Sequence, residues 1–182
     1  MATGKKLNGT LRKFIEKQPV FFVATADTTG RVNVSPKGMD TLRIEDDNRI
    51  VWLNLSGSGN ETAAHVQATG GMTLMFCAFE GNPMILRVYG QAKTYHPRDA
   101  EWGSLVSKFA KMGGSRQIFD LDIDLVQTSC GTGVPEMDLR RSRGEEDLEP
   151  YYDRLRPDGV TEYWQRKNVE TIDGRPTDIF ED

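Results

Sequence analysis

Apolar positions in the first two-thirds of the chain switch between a helical and a strand period. Leu7, Leu11, Phe14 and Ile15 recur at helical spacing, and Pro19 stops that run. Residues 20–26 read as a buried strand. After the turn Asp27-Thr28-Thr29-Gly30, residues 31–35 alternate, with Val32 and Val34 on one face and Arg31, Asn33 and Ser35 on the other. Pro36 is expected to end regular pairing there, because it has no N–H to give a ladder. Residues 42–45 and 50–55 flank Asp46-Asp47-Asn48-Arg49, a hairpin turn. A helix over 61–69 ends at Gly70-Gly71, and a second hairpin, 72–79 with 84–95, turns on Glu80-Gly81-Asn82-Pro83. A further helix over 98–111 and a long last strand over 118–128 complete the series. At least six antiparallel strands with two or three helices predict a mainly-β fold with peripheral helices, a closed barrel rather than a sandwich.

The last strand places Asp120, Asp122 and Asp124 on one face and Leu121, Ile123 and Leu125 on the other. No histidine or glycine loop accompanies the acidic row, so it reads as a solvated face and no metal site is assigned. The C-terminal third is less regular. Residues 136–157 mix charges of both signs around Arg140-Arg141-Ser142-Arg143 and read as solvated surface. Tyr163-Trp164-Gln165-Arg166-Lys167-Asn168 instead combines aromatic and cationic groups. For Trp164, packing on its own barrel and contact with a ligand or a second subunit both remain open.

Composition narrows the classes. A chain of 182 residues fits one domain, and a net charge of −4 with a pI near 5.3 argues against a general nucleic-acid surface. No apolar run approaches the roughly 20 residues that span a bilayer. Residues 1–6 lack the apolar core of a secretory signal, so a cytoplasmic protein is expected. Cys77 and Cys130 are too far apart in sequence for a CxxC redox or zinc motif, and Cys77 sits in an apolar run as a small core residue.

The stretch Ser56-Gly57-Ser58-Gly59-Asn60-Glu61-Thr62 holds the strongest candidate chemistry. Small residues let backbone N–H groups approach a ligand, while Ser58, Asn60 and Thr62 add side-chain donors. The following helix N-terminus adds partial positive charge, which completes the ingredients of a phosphate cradle. Gly57 and Gly59 begin a G-x-G pattern, yet Thr62 stands where a third glycine would, and strands follow rather than a βαβ unit. An ordinary polar strand-to-helix connection is the alternative.

The run Arg31-Val32-Asn33-Val34-Ser35-Pro36-Lys37-Gly38, the strand at 51–55 with its Gly57-to-Thr62 loop, and Leu86-Arg87-Val88-Tyr89-Gly90 occur in the order found in the pyridoxamine 5′-phosphate oxidase-like FMN-binding split β-barrels. The chain resembles that family over roughly residues 8–130, and its ending resembles an uncharacterised flavoprotein branch. The resemblance implies an antiparallel split barrel over 1–182 as a single domain. It also implies FMN as cofactor, and a homodimer with FMN at the subunit interface, against which the 131–182 extension packs. Asn33, Val34 and Ser35 match the strand beside the flavin, and Lys37 matches a lysine that meets the phosphate or the ring. Ser58, Gly59, Asn60 and Thr62 fall in the phosphate loop, Arg87 beside the ring, and Trp164 and Arg166 in a segment expected to approach the flavin of the other subunit.

Two departures qualify the resemblance. Asn60 and Thr62 stand where the family carries phosphate-binding cations, and the closing Arg-x-His signature of the oxidases proper is absent, His65 and His96 being the only histidines. No catalytic residue is assigned. The implied function is an FMN-dependent oxidoreductase that transfers a hydride to or from a small molecule. The alternative is a non-catalytic flavin- or haem-binding storage or sensor protein.

Overall fold

The computed structural model describes residues 1–180. Strand β2 (Val20–Thr25) falls where a buried strand is expected, but it buries only every second side chain, Phe21, Val23 and Thr25. With β1 (Ala2–Gly4), β3 (Asn33–Gly38), β4 (Leu42–Ile44), β5 (Arg49–Leu55), β6 (Gly71–Cys77), β7 (Ile85–Tyr95) and β8 (Ser115–Ser129) it forms an antiparallel sheet of order β3-β2-β6-β7-β8-β5-β4, and β1 pairs on β8. The sheet curls into a split barrel. Its hydrogen-bonded path ends at β3 and β4 rather than closing, which corrects the closed barrel. The short link between those strands spans the gap, with Leu53 N donating to Thr41 O at 2.8 Å.

The core fills the curl. Trp52 stacks on Phe119 with ring centroids 4.8 Å apart and meets Phe21 edge-on, and Phe76, Leu74, Leu86 and Val88 complete the layer. Strand β5 is buried on both faces: Ile50 and Trp52 point into this core, while Val51 and Leu53 lie with Ile118 under Leu105 and Phe109. Helix α1 (Gly9–Glu16) places Leu11 and Ile15 on the main core and is capped by Asn8 Oδ1, which accepts from Leu11 N at 2.9 Å.

Helix α2 (Glu61–Thr69) packs on β2, β6 and β7 and ends at Gly70, whose φ of 71° is the left-handed cap that glycine takes without strain. Five consecutive residues, Thr62 to Val66, are buried, so both sides of this helix are covered. The outer cover comes from the C-terminal segment, where Gln67 Nε2 donates to Thr177 O at 3.1 Å and Ile172 N to Glu61 Oε1 at 3.3 Å.

Four sequence expectations change. Pro36 does not end pairing: it sits opposite Phe22 within β3, tolerated because β3 is an edge strand. The helix expected over 98–111 is only α3 (Trp102–Val106), flanked by turns. The last strand begins at Ser115, three residues earlier than its alternation suggests. Finally, the irregular C-terminal third contains a π-helical turn (Gly144–Leu148) running into α4 (Glu149–Lys167), which is broken at Arg156 (φ 59°) ahead of Pro157. Exposed ion pairs from Arg141 to Glu146 and Asp147 fit the solvated surface expected there.

Candidate functional site

A bulge builds the site. Strands β5 and β8 pair residue for residue as far as Asn54 with Gln117, then Leu55 meets Ser115, so Arg116 is the extra residue on β8. Bulges turn a side chain out of the normal alternation. Here the turned side chain is Arg116, only 2% exposed, in the wall of a cleft of about 640 Å³. The cleft is bounded by β3 (Asn33, Ser35, Lys37), the loop from Ser56 to Asn60, the first residues of α2, and Glu170 to Ile172.

The loop is tied down on its own chain. Ser56 N and Ser56 Oγ both donate to Gly114 O at 2.7 Å, and Tyr152 Oη donates to Ser56 O at 2.6 Å. Trp164 Nε1 donates to Ser56 Oγ at 2.6 Å, and Asn168 Nδ2 donates to Gly57 O at 2.8 Å. Arg116 Nη1 donates to Gly59 O at 3.0 Å, and Asn54, with its amide oxygen turned toward Arg116, accepts from Nη2 at 2.9 Å. Arg116 Nε has no hydrogen-bond partner. A Cβ at Gly59 would displace the Glu61 carboxylate, which lies against this part of the loop.

Asn60, the N-cap of α2, makes no side-chain cap; its Nδ2 donates instead to Asn168 O at 3.2 Å. Ala63 N donates to Asn60 O at 3.2 Å, so the amides of Glu61 and Thr62, at the positive end of the helix, are those that no side-chain cap engages. Asn33 Nδ2 bridges β3 to Thr62 Oγ1 at 3.1 Å. Lys37 lies over the Trp52 ring, 5.4 Å from its centroid. Burial, and secondarily the Arg116 charge, pushes the Lys37 amine down to about 8. Burial likewise pushes the Arg116 guanidinium down to about 10.

Of the sequence candidates, Asn33, Ser35, Lys37, Ser58, Gly59, Asn60 and Thr62 meet in this one cleft. Val34 does not: it is on the opposite face of β3 and 60% exposed, as alternation requires. Arg87 lies on the face of β7 away from the core, donating to Ser129 Oγ at 3.2 Å. Trp164 reaches the cleft's supporting loop on its own chain, which is the packing alternative, and Arg166 is exposed over the Tyr163 ring at 5.9 Å. Sequence reading missed Arg116, Asn54, Glu61 and the 170–172 segment. A lone arginine before an alternating run carries no signal that a bulge will redirect it.

The histidines are elsewhere. His65 Nδ1 shares a 3.1 Å hydrogen bond with Thr25 Oγ1 inside the fold, and His96 is buried and pushed down to about 4 by that burial. A larger groove of about 1190 Å³ involves Phe14, Phe79, Pro83, Met84 and Cys130, with Lys13, Lys17 and Glu80 also lining it, and neither histidine is among its walls. Among the described residues no helix is long and apolar enough to cross a membrane, and no cluster of three metal-ligating side chains occurs.

Comparison with known proteins adds family and fold. The family model described as pyridoxamine 5′-phosphate oxidase matches residues 7–130. The pyridoxamine 5′-phosphate oxidase family protein ustO of Aspergillus flavus is 30% identical over 188 aligned positions, covering 94% of this chain and 76% of that protein. Solved structures of similar fold include HupZ of Group A Streptococcus (TM-score 0.53, 17% identity, 72% of this chain and 99% of that one). An FMN-binding protein of Syntrophomonas wolfei has a TM-score of 0.50 at 15% identity, covering 71% of this chain and 85% of that one. The haem storage protein HutZ of Vibrio cholerae also scores 0.50 at 15% identity, covering 70% and 98%.

Proposed function

The chain belongs to the pyridoxamine 5′-phosphate oxidase family, and from that premise we propose that it binds FMN in the Lys37–Arg116 cleft and acts as an oxidoreductase on a small molecule. The observation that carries this reading is the convergence of a buried cation, Arg116, and a half-buried one, Lys37, with the N-terminus of α2, which has no side-chain cap. A phosphate there meets charge-assisted donors from Lys37 and Arg116, backbone amides of the first turn of α2, and the hydroxyls of Ser58 and Thr62. Arg116 supplies charge that the loop sequence itself lacks. Asn33 and Ser35 offer polar groups along β3 for the remainder of the ligand. When bound, FMN supplies hydride transfer; the protein binds and orients it and excludes water. Because the chain has no Arg-x-His tripeptide, the proposal does not extend to pyridoxamine phosphate as substrate. A homodimer whose second subunit covers the open side of the cleft belongs to the same reading, as does a cytoplasmic location.

The similarity in fold to a haem storage protein motivates a second reading, but the lining of this cleft contains no His, Cys, Met or Tyr to serve as an axial ligand. The absorbance spectrum of the purified protein separates the two. Flavin bands with near-stoichiometric FMN are expected, followed by bleaching under anaerobic NADH or NADPH. A Soret band in place of flavin bands would overturn the proposal, and bound FMN that no reductant bleaches would restrict it to binding.

A further inference from the structure

Glu61 is the first residue of α2 and lines the cleft with Lys37 and Arg116. One carboxylate oxygen accepts from Ile172 N at 3.3 Å, and the other lies beside Gly59. In that position it acts electrostatically on both Lys37 and Arg116. The point where an incoming anion would gain most, between two cations and the start of α2, thus already faces a carboxylate of the chain itself. Arg116 presents an unpartnered Nε in the same buried wall.

A second anion entering beside Glu61 meets like-charge repulsion in a partly desolvated site, while a neutral ligand of the same shape does not. We propose that Glu61 determines how strongly this cleft discriminates between a phosphorylated and an unphosphorylated flavin, by standing as a built-in counter-anion to Lys37 and Arg116. The inference rests on the flavin reading above and deepens it: Glu61 narrows the preference for FMN over riboflavin. The competing account gives Glu61 only the ordinary part of an acid in the first turn of a helix, worth a small amount of stability and indifferent to ligand charge.

The test is a fluorescence titration of the full-length protein with FMN and with riboflavin, in the unaltered chain and in Glu61→Gln and Glu61→Lys, with thermal melts alongside. Glu61→Gln is expected to tighten FMN by about tenfold while moving riboflavin by less than about twofold, and Glu61→Lys to widen the ratio further. A ratio unchanged in both variants, with FMN still bound, overturns the inference and leaves the flavin reading standing. Failure of all three proteins to bind either flavin overturns both. Should Glu61→Gln melt early, Glu61→Lys and the ratio measured below its melting temperature carry the decision.

Discussion

Replacing Arg116 with methionine separates a functional residue from a structural strut. The guanidinium is almost fully buried, and burial pushes it well below its ordinary value, to about 10. A shift of that size places about 3 kcal/mol of strain on the charged form at neutral pH. The sign follows from linkage: a cation whose folded value is depressed weakens the fold at every pH below that value, and the penalty fades as pH rises past about 10. Methionine removes the charge at similar length. It also removes the donors to Gly59 O and Asn54, at about 1 kcal/mol each, while Gly57 O keeps its bond from Asn168. The ligand-free variant should therefore be more stable by about 1 kcal/mol, raising Tm by about 2–4 °C for a domain of this size. FMN binding should weaken by about 1.5–3 kcal/mol through loss of a charged donor. Urea unfolding of the ligand-free protein and flavin fluorescence titration measure the two effects separately. A variant that loses stability and keeps full FMN affinity would refute the reasoning and make Arg116 a support for the Ser56–Asn60 loop.

Lys37→Ala should weaken FMN by about 1.5–3 kcal/mol in the same titration. In the unaltered protein FMN affinity should fall as pH rises through about 8, where the half-buried Lys37 amine loses its charge, while riboflavin affinity stays level and Lys37→Ala abolishes the step. By the same linkage, the Lys37 contribution to stability should rise with pH between about 8 and the free-lysine value, readable as melting temperature against pH. Deleting residues 160–182 removes Trp164 and Asn168 from the loop and uncovers α2, so flavin affinity or turnover should drop while gel filtration shows an unchanged oligomeric state. Val34→Thr, on the outward face of β3, should leave FMN affinity within about twofold, and a larger loss would relocate the site.

Apolar runs bounded by turn residues made most of the sheet legible, with period-2 alternation adding residues 31–35 and the last strand, and α2 falls on the 61–69 span that ends at Gly70-Gly71. What failed was governed by context that a local pattern does not carry. Pro36 is compatible with β3 only because that strand lies at the sheet's edge, a property of strand order. The 149–167 helix is amphipathic on neither period, since its apolar residues anchor individually, Tyr152 on Ser56 O and Trp164 on Ser56 Oγ, rather than as a stripe. In the site, glycines and hydroxyls advertised the loop, and alternation on β3 separated Asn33, Ser35 and Lys37 from Val34. Arg116 stayed hidden because a bulge is a disagreement between two strands, visible only when β5 and β8 are aligned.

The bonds that fasten the Ser56–Asn60 loop have a consequence for how the molecule assembles. Tyr152, Trp164 and Asn168 reach back 96 to 111 residues to hold it, while every strand of the sheet precedes them in the chain. Closing so long a loop is entropically costly and becomes favourable only on a surface that already exists. The barrel is therefore the template and the cleft its latecomer. A nascent chain passes through a stage with an intact sheet and a binding loop fastened only by Gly114 and Arg116, and substitutions in the 149–180 region should slow the arrival of ligand-binding competence more than the arrival of β structure.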